Sequence, residues 1–449
     1  MHLLRALCAL LAFLAAATQA RADLLEESRK APARALDVAV ERHVLSNGLV
    51  VLLAPDPTAA SVAVWLTFRA GALYLPPGRS GMAHLMEHVV VSGRTPETDY
   101  GALLEARRAR SWNAHTGHDL LSIECVLPPE ELPLALWMQA DRLARLPELV
   151  TPEEVERSRR IVLEERALTT LDVPYGLVDE AVHRRLYGAR HPLERGVLGA
   201  PDELARVTAD EMLAFARSHL VPANGVLVVA GRFDPATALR LANEGLGRLP
   251  AGVRATPPAL APYGEAYVDG RVEQLSREPR VTFAWRFADV PPADAAALQT
   301  GAIMLTFLTD GAWGMRIQAG LLEYDSESTF LMHLTVPYDE PMRVVHDDAA
   351  GFLRMLTHKE MPLELQIAGN LALDRMDMFG LDTLDGRAQL LGALELRHGP
   401  TARASELLGR RWTLDFSFVR DVARAYLKRP GLVLHARPTR PRPAKAERE

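Results

Sequence analysis

His84, Glu87 and His88 stand in the order His-x-x-Glu-His. On a helix, residues four apart share a face, so both imidazoles can point at one ion. Glu87 lies beside that face. It can take a proton from a water on the ion without occupying a metal position. Two neutral imidazoles and one carboxylate suit zinc, because they leave its fourth tetrahedral position open to water. Zinc lowers the pKa of such a water towards about 7, and the hydroxide then attacks a carbonyl. A third ligand is needed. The segment Ile161-Val162-Leu163-Glu164-Glu165-Arg166 offers two candidates. Adjacent helical residues diverge by about 100°, so only one of Glu164 and Glu165 can face the ion. Pattern alone does not choose between them.

Two helices must position this chemistry. The spacing of apolar residues predicts one over 81–91, carrying the His-x-x-Glu-His segment. A Thr151-x-x-Glu154 capping box opens a second over 152–168, which carries Glu164 and Glu165. Further helices are expected over 100–110, 132–146 and 208–219. Strands are expected over 49–53, 62–68, 120–127 and 226–230. The stretch 249–262, rich in Pro, Ala and Gly, reads as a linker. A similar plan then returns, with a strand over 281–287 and helices over 294–308 and 341–357. Gly431-Leu432-Val433-Leu434 echoes Gly225-Val226-Leu227-Val228. With halves of about 200 residues each, this is one signature of internal duplication. The second half holds His333, His346, His358, His398 and His435, but no two at ligand spacing. The metal site is therefore expected in the first half alone.

Composition bounds the rest. Of the 449 residues, 48% are hydrophobic and 24% charged, which permits a large core and excludes global disorder. A net charge of −6 and a pI near 6.2 argue against a nucleic-acid partner. Cys8 and Cys125 are the two cysteines, so a disulfide framework and a cysteine zinc cluster are excluded. Any metal must be held by His and carboxylates. Residues 1–22 read as a secretory signal. His2 and Arg5 give a polar start, 7–17 an apolar run, and Ala20-Arg21-Ala22 a cleavage site before Asp23. The apolar run is too short to span a membrane. The mature chain is expected to be soluble, with no membrane segment after signal removal, and periplasmic or secreted. The Pro- and charge-rich end, 437–449, reads as a disordered tail.

The order His-x-x-Glu-His is that of the inverzincins. Other short stretches accompany it: Gly81-x-Ala83-His84, Asn113-Ala114-x-Thr116, Ala140-Asp141-Arg142, Asp172-x-Pro174, His191-Pro192 and Val228-Val229-Ala230-Gly231. On these the chain resembles the pitrilysin/insulinase family of zinc metallopeptidases, in particular its small bacterial and mitochondrial-processing-peptidase-like members. The resemblance covers nearly all of 40–436 and is strongest over 44–235. The family places a Glu ligand 76 or so residues after the second His, and 76 residues stand between His88 and Glu165. The resemblance thus implies one zinc per chain on His84, His88 and Glu165, with Glu87 as general base of an endopeptidase.

It also implies an α+β fold with two homologous domains, each an antiparallel sheet with helices packed on it. A catalytic domain would occupy 23–248 and a non-catalytic one 263–436, joined by 249–262 and together forming half of a peptidase chamber. Half a chamber implies a dimer, with an identical or a homologous chain. The implied substrates are short or unfolded peptides that add as a strand to a sheet edge. That edge contains Asn113 to Thr116, with Asn113 and Ala114 holding the substrate backbone. Relatives also bind substrate with an Arg and a Tyr seven residues apart. The nearest pair here is Arg316 and Tyr324, eight apart. Two further departures stand out. Ser158 occupies a place where many relatives carry Glu, and Arg110-Ser111-Trp112 replaces glycines before the edge element. These departures frame the alternative: a non-catalytic family member, serving as peptide-binding or scaffold subunit of a heterodimeric peptidase.

Overall fold

The structure is a computed structural model. It describes residues 39–188, 191–257, 268–274, 278–307, 315–325, 327–336, 342–358, 366, 382–400, 414–428 and 431–438. The expected signal at 1–22, part of the expected linker and 439–449 of the expected tail lie outside the described residues. Arg437 and Pro438 do not belong to a tail, because they continue the last strand.

Strands β1 (Glu41–Val44), β2 (Val50–Pro55), β3 (Val62–Arg69), β4 (Ser111–Thr116), β5 (Leu120–Leu127) and β6 (Gly225–Gly231) form one sheet, in the order β1-β2-β6-β3-β5-β4. Strands β7 (Val268–Gln274), β8 (Arg280–Ala288), β9 (Arg316–Glu323), β10 (Glu327–Thr335) and β11 (Leu432–Pro438) form the other, in the order β7-β11-β8-β10-β9. With β1 set aside, the two sheets share one topology. The last strand of each unit inserts between the first two. Those first two run in opposite directions, so the inserted strand must be parallel to one of them. The pairs β2·β6 and β7·β11 are accordingly parallel, and every other pair is antiparallel. The expected antiparallel sheets therefore hold apart from one pair in each. The echoed Gly225–Val228 and Gly431–Leu434 segments fall on the two inserted strands or at their start.

The helices of the first half are α1 (Met82–Ser92), α2 (Tyr100–Ala106), α3 (Leu132–Ala144), α4 (Pro152–Arg166), α5 (Gly176–Tyr187), α6 (Ala209–His219) and α7 (Pro235–Glu244). Those of the second are α8 (Pro292–Phe307), α9 (Met342–His358), α10 (Leu384–His398) and α11 (Phe416–Tyr426). β3 is buried on both faces, so it needs cover on both sides. Val64, Leu66, Phe68 and Ile123 face the core built with α1 and α3. Leu52, Trp65, Val226 and Val228 face the other way, onto Ala388 and Leu391 of α10. That helix comes from the second half of the chain. In return, α5 of the first half packs on β7, β8 and β11. The halves therefore exchange a helix, and a boundary in the linker separates the sheets but not the packing.

Buried charge fastens the exchange. Arg69 Nε donates to Asp325 at 2.9 Å, and the Tyr74 hydroxyl donates to the same oxygen. Arg397 on α10 grips Asp119 through Nε and Nη2, both at 2.7 Å. Glu327 pairs with Arg286 and lies 3.2 Å from His191 Nε2. His191 Nδ1 accepts the Leu193 N–H, which leaves its proton on Nε2, facing that carboxylate.

Candidate active site

α1 starts where the chain turns through Gly81, in the left-handed region at φ +81°. A Cβ there would come within 2.7 Å of Leu204 Cδ2 and 2.8 Å of the Leu198 carbonyl oxygen. Only glycine fits both the turn and the contact. The loop before Leu204 clamps this helix start: Ser80 Oγ accepts from the Ala200 N–H at 3.0 Å, and Glu203 accepts from the Ser80 N–H at 2.9 Å. Met82, Leu85, Met86 and Val89 then bury their side chains in the first-half core. The turns of α1 that carry His84, Glu87 and His88 face α4 and the end of β4.

His84 Nε2 and His88 Nε2 lie 3.2 Å apart. Glu165 Oε2 lies 3.5 Å from the first and 3.3 Å from the second. A tetrahedral zinc ion with bonds of about 2.05 Å needs donor–donor edges of about 3.3 Å. The residues present therefore fit zinc in both donor type and spacing. Burial, with the neighbouring His88 second, pushes His84 down to about 4. Burial likewise lowers His88. Both rings are thus neutral near pH 7 and keep a lone pair for a metal. His84 Nδ1 is buried and makes no hydrogen bond among the described residues.

The choice between Glu164 and Glu165 follows from helix phase. Val155, Ser158 and Val162 are the buried residues of α4. Glu165 stands seven residues, two turns, after Ser158 and so shares its face. Glu164 is exposed. The α4 Glu of the triangle is therefore Glu165. Ser158 is fully buried, and its hydroxyl has no partner among the described residues.

Glu87 stands back from the triangle, with Oε2 4.0 Å from His84 Nε2. Burial pushes its carboxyl up to about 7, opposed by the neighbouring Thr116 and His115. The Thr116 hydroxyl donates to the Ala83 carbonyl of α1 at 3.5 Å. Thr116 closes β4, so the carboxylate sits between the metal donors and a sheet edge. Among the described residues that edge is open, since β4 is the terminal strand of its sheet. Asn113 is exposed there, beside a groove of about 360 Å³ that Val91, Ser92 and Trp112 also line. Ala114 is 1% exposed, so only its backbone can serve a ligand. The link from α1 to Thr116 was not readable from sequence, because it joins a helix to a strand through tertiary packing alone.

Arg316 and Tyr324 are not brought together. Arg316 opens β9, is largely exposed and pairs with Glu278 at 2.6 Å. Tyr324 lies just past the other end of that strand, about 26 Å away at about 3.3 Å per residue. It is buried, with its ring 4.6 Å from that of His118. The two residues expected to bind substrate thus stand at opposite ends of one strand. In the second half, packing brings His435 Nε2 to 3.4 Å from His346 Nδ1, although the two lie 89 residues apart in sequence. Among the described residues, His84, Glu87 and His88 of the first half bring three possible metal donors within 4.8 Å of one another.

Comparison with known proteins identifies the family of the chain. Residues 50–200 match the family model of insulinase, peptidase family M16. Residues 206–320 match that of the peptidase M16 inactive domain. The chain belongs to the insulinase (M16) family. Within this family, a protein described as an uncharacterized zinc protease of Rickettsia felis is 28% identical over 234 residues, or 52% of this chain and 56% of that one. The mitochondrial-processing peptidase subunit beta of Blastocladiella emersonii is 24% identical over 212 residues, or 46% of this chain and 44% of that one. The chain spans about half the length of the curated relatives it matches. Among solved structures, a protease from Helicobacter pylori aligns with a TM-score of 0.79 at 17% identity, covering 89% of this chain and 99% of that one. The periplasmic protease PqqL of Escherichia coli aligns at 0.72 and 18% identity, covering 89% of this chain and 48% of that one. At such identities these likenesses establish the two-domain α+β insulinase fold.

Proposed function

We propose that this insulinase-family protein is a zinc-dependent endopeptidase acting on short or unfolded peptides. The observation that carries the reading is the triangle of His84, His88 and Glu165, with Glu87 beside it at an open strand edge. Zinc held there would supply a Lewis acid that activates water and polarises the scissile carbonyl. Glu87 would take the water's proton and later deliver it to the leaving amine. β4 would hold the peptide backbone as an added strand, with Asn113 at its rim. That geometry would bring the scissile bond past Glu87, because Thr116 of the same strand reaches the Ala83 carbonyl on the helix that carries Glu87.

The scaffold-subunit alternative lacks an observation of its own, since the donors and the base are all present and assembled. The chain aligns to 48% of PqqL, and one relative is named as a subunit. These support a working enzyme of two such chains, identical or homologous. The signal-like segment at 1–22 supports a periplasmic or secreted site.

The test combines metal analysis with a peptide-library assay on purified full-length protein. About one zinc per chain is expected, and Glu87→Gln should keep the metal while losing about 100-fold or more of the cleavage rate. Cleavage that persists unchanged in Glu87→Gln would remove Glu87 as base. Protein without zinc-binding capacity would overturn the reading.

A further inference from the structure

The triangle of metal donors is held unequally. His84 and His88 stand on α1, most of whose residues are buried. Glu165 stands in the last turn of α4, and its side chain is 38% exposed. Helix ends are where backbone hydrogen bonds run out and the chain frays. Leu168, Thr169, Leu171 and Asp172, just beyond, are exposed, so apolar burial does little to fix this end. The chain instead winds into one π-helical turn (Ala167–Leu171), and the Thr169 hydroxyl donates back to the Glu165 carbonyl at 2.8 Å. Such single turns are frequent at functional sites. The turn closes on the start of α5. A Cβ at Gly176 would come within 2.2 Å of the Thr170 carbonyl oxygen, so only glycine permits this approach. Tyr175, immediately before it, stands in the left-handed region at φ +67°. That backbone is unfavourable under a bulky side chain and persists only where the surroundings over-determine it.

Those surroundings come from the second half. The Tyr175 hydroxyl donates to the Glu278 carbonyl at 3.0 Å. The guanidinium of Arg280, at the start of β8, lies over the Tyr175 ring, 3.4 Å from its centroid. Arg280 is itself fixed: Nε donates to Thr335 Oγ1 at 2.9 Å and Nη2 to Gln318 Oε1 at 3.1 Å. Residues of β8, β9 and β10 therefore all bear on one tyrosine. A cation over an aromatic face is attractive, and more so where water is excluded. Tyr175 is buried. A second tie runs from Arg166, the residue after Glu165, to Glu180 of α5, the helix that packs on the second sheet.

We propose that Tyr175 is a positioning residue: clamped by Arg280 and Glu278 of the second half, it holds the end of α4 so that Glu165 meets His84 and His88. The second half thereby sets the donor geometry of the first. The proposal rests on the reading of His84, His88 and Glu165 as zinc ligands. Tyr175 acts through the backbone between it and Glu165. Loss of the clamp should therefore loosen one donor of three and leave α1 as it is.

The test is zinc affinity, measured on full-length metal-free protein by competition with a chromophoric chelator, so it does not depend on turnover. Tyr175→Gly suits the left-handed backbone and removes the clamped ring. Arg280→Met leaves Tyr175 in place, removes the guanidinium, and decides the case if Tyr175→Gly does not fold. Each should weaken zinc binding about ten-fold or more. Tyr175→Phe keeps the ring under Arg280 and should stay within about three-fold of wild type. In a Glu165→Gln background, either change should weaken the residual zinc binding by less than about two-fold, because the donor it positions is gone. A merely structural role would lower affinity alike in both backgrounds. Amide exchange in the metal-free protein gives a second readout. It should quicken about ten-fold at residues 163–167 in Arg280→Met and stay unchanged at 84–88. Unchanged zinc affinity in Arg280→Met, or equal losses with and without Glu165, overturns the proposal while leaving the metal site standing. Wild-type protein that binds no zinc, or Glu165→Gln that binds it as tightly as wild type, overturns the metal reading and the proposal with it.

Discussion

Arg397→Met probes how firmly the exchanged helix is held. The substitution keeps an apolar stem on α10 and strands the Asp119 carboxylate. The Asp119 side chain is 1% exposed, and that of Arg397 is 28% exposed. Removing one partner of a buried pair costs about 3–5 kcal/mol, and the partial exposure of the guanidinium brings this to about 3 kcal/mol here. Asp119→Asn in the same background removes the stranded charge and should restore about 2 kcal/mol, a coupling that independent sites would not show. The assay is urea unfolding near neutral pH, followed by far-UV circular dichroism, on the wild type, both single variants and the double variant. Amide exchange at residues 117–121 gives a local readout, because Asp119 sits in the turn between β4 and β5. The carbonyls of that turn also accept backbone hydrogen bonds from the N–H groups of Gly71, Ala72 and Leu73. A loss below about 1 kcal/mol for Arg397→Met, or strict additivity in the double variant, would refute the view that this pair locks the halves.

Two further outcomes can be checked directly. Glu165→Gln should weaken zinc binding by about 100-fold or more, whereas Glu164→Gln should leave it intact, as read by metal content after dialysis against a chelator. Equal losses would contradict the helix phase. His118 and His333 are both pushed down to about 3 by burial, whereas the unfolded chain titrates them near 6.5. Between those values the unfolded state binds more protons, so their contribution is full above about pH 6.5 and drains away as pH falls towards 3. At about pH 5.5 each costs about 1 kcal/mol, and the urea midpoint should drop accordingly from its value near pH 7.5. Identical midpoints would contradict this.

The helix period made His84 and His88 readable as a pair, since local spacing alone puts them on one face. The repeat of GVLV-like strands was also readable, and both copies mark the inserted strand of a sheet. The third donor was not settled by local pattern, because choosing Glu165 requires knowing which face of α4 meets α1. Contacts such as Arg42 with Glu395 or Asp119 with Arg397 join residues hundreds apart, and no local period encodes them. Arg316 and Tyr324 show what a spacing borrowed from relatives leaves open: it does not say whether the intervening residues form a strand, and here they do.

The helix exchange has a consequence for synthesis. The first sheet is complete once residue 231 has been made, yet among the described residues one face lacks its helical cover until α10 is finished at residue 398. Over the intervening 167 residues, from 231 to 398, the nascent chain would display Leu52, Trp65, Val226 and Val228 to solvent. A chain cut in the linker would never hide them, so each half alone should be a client for chaperones rather than a freestanding domain.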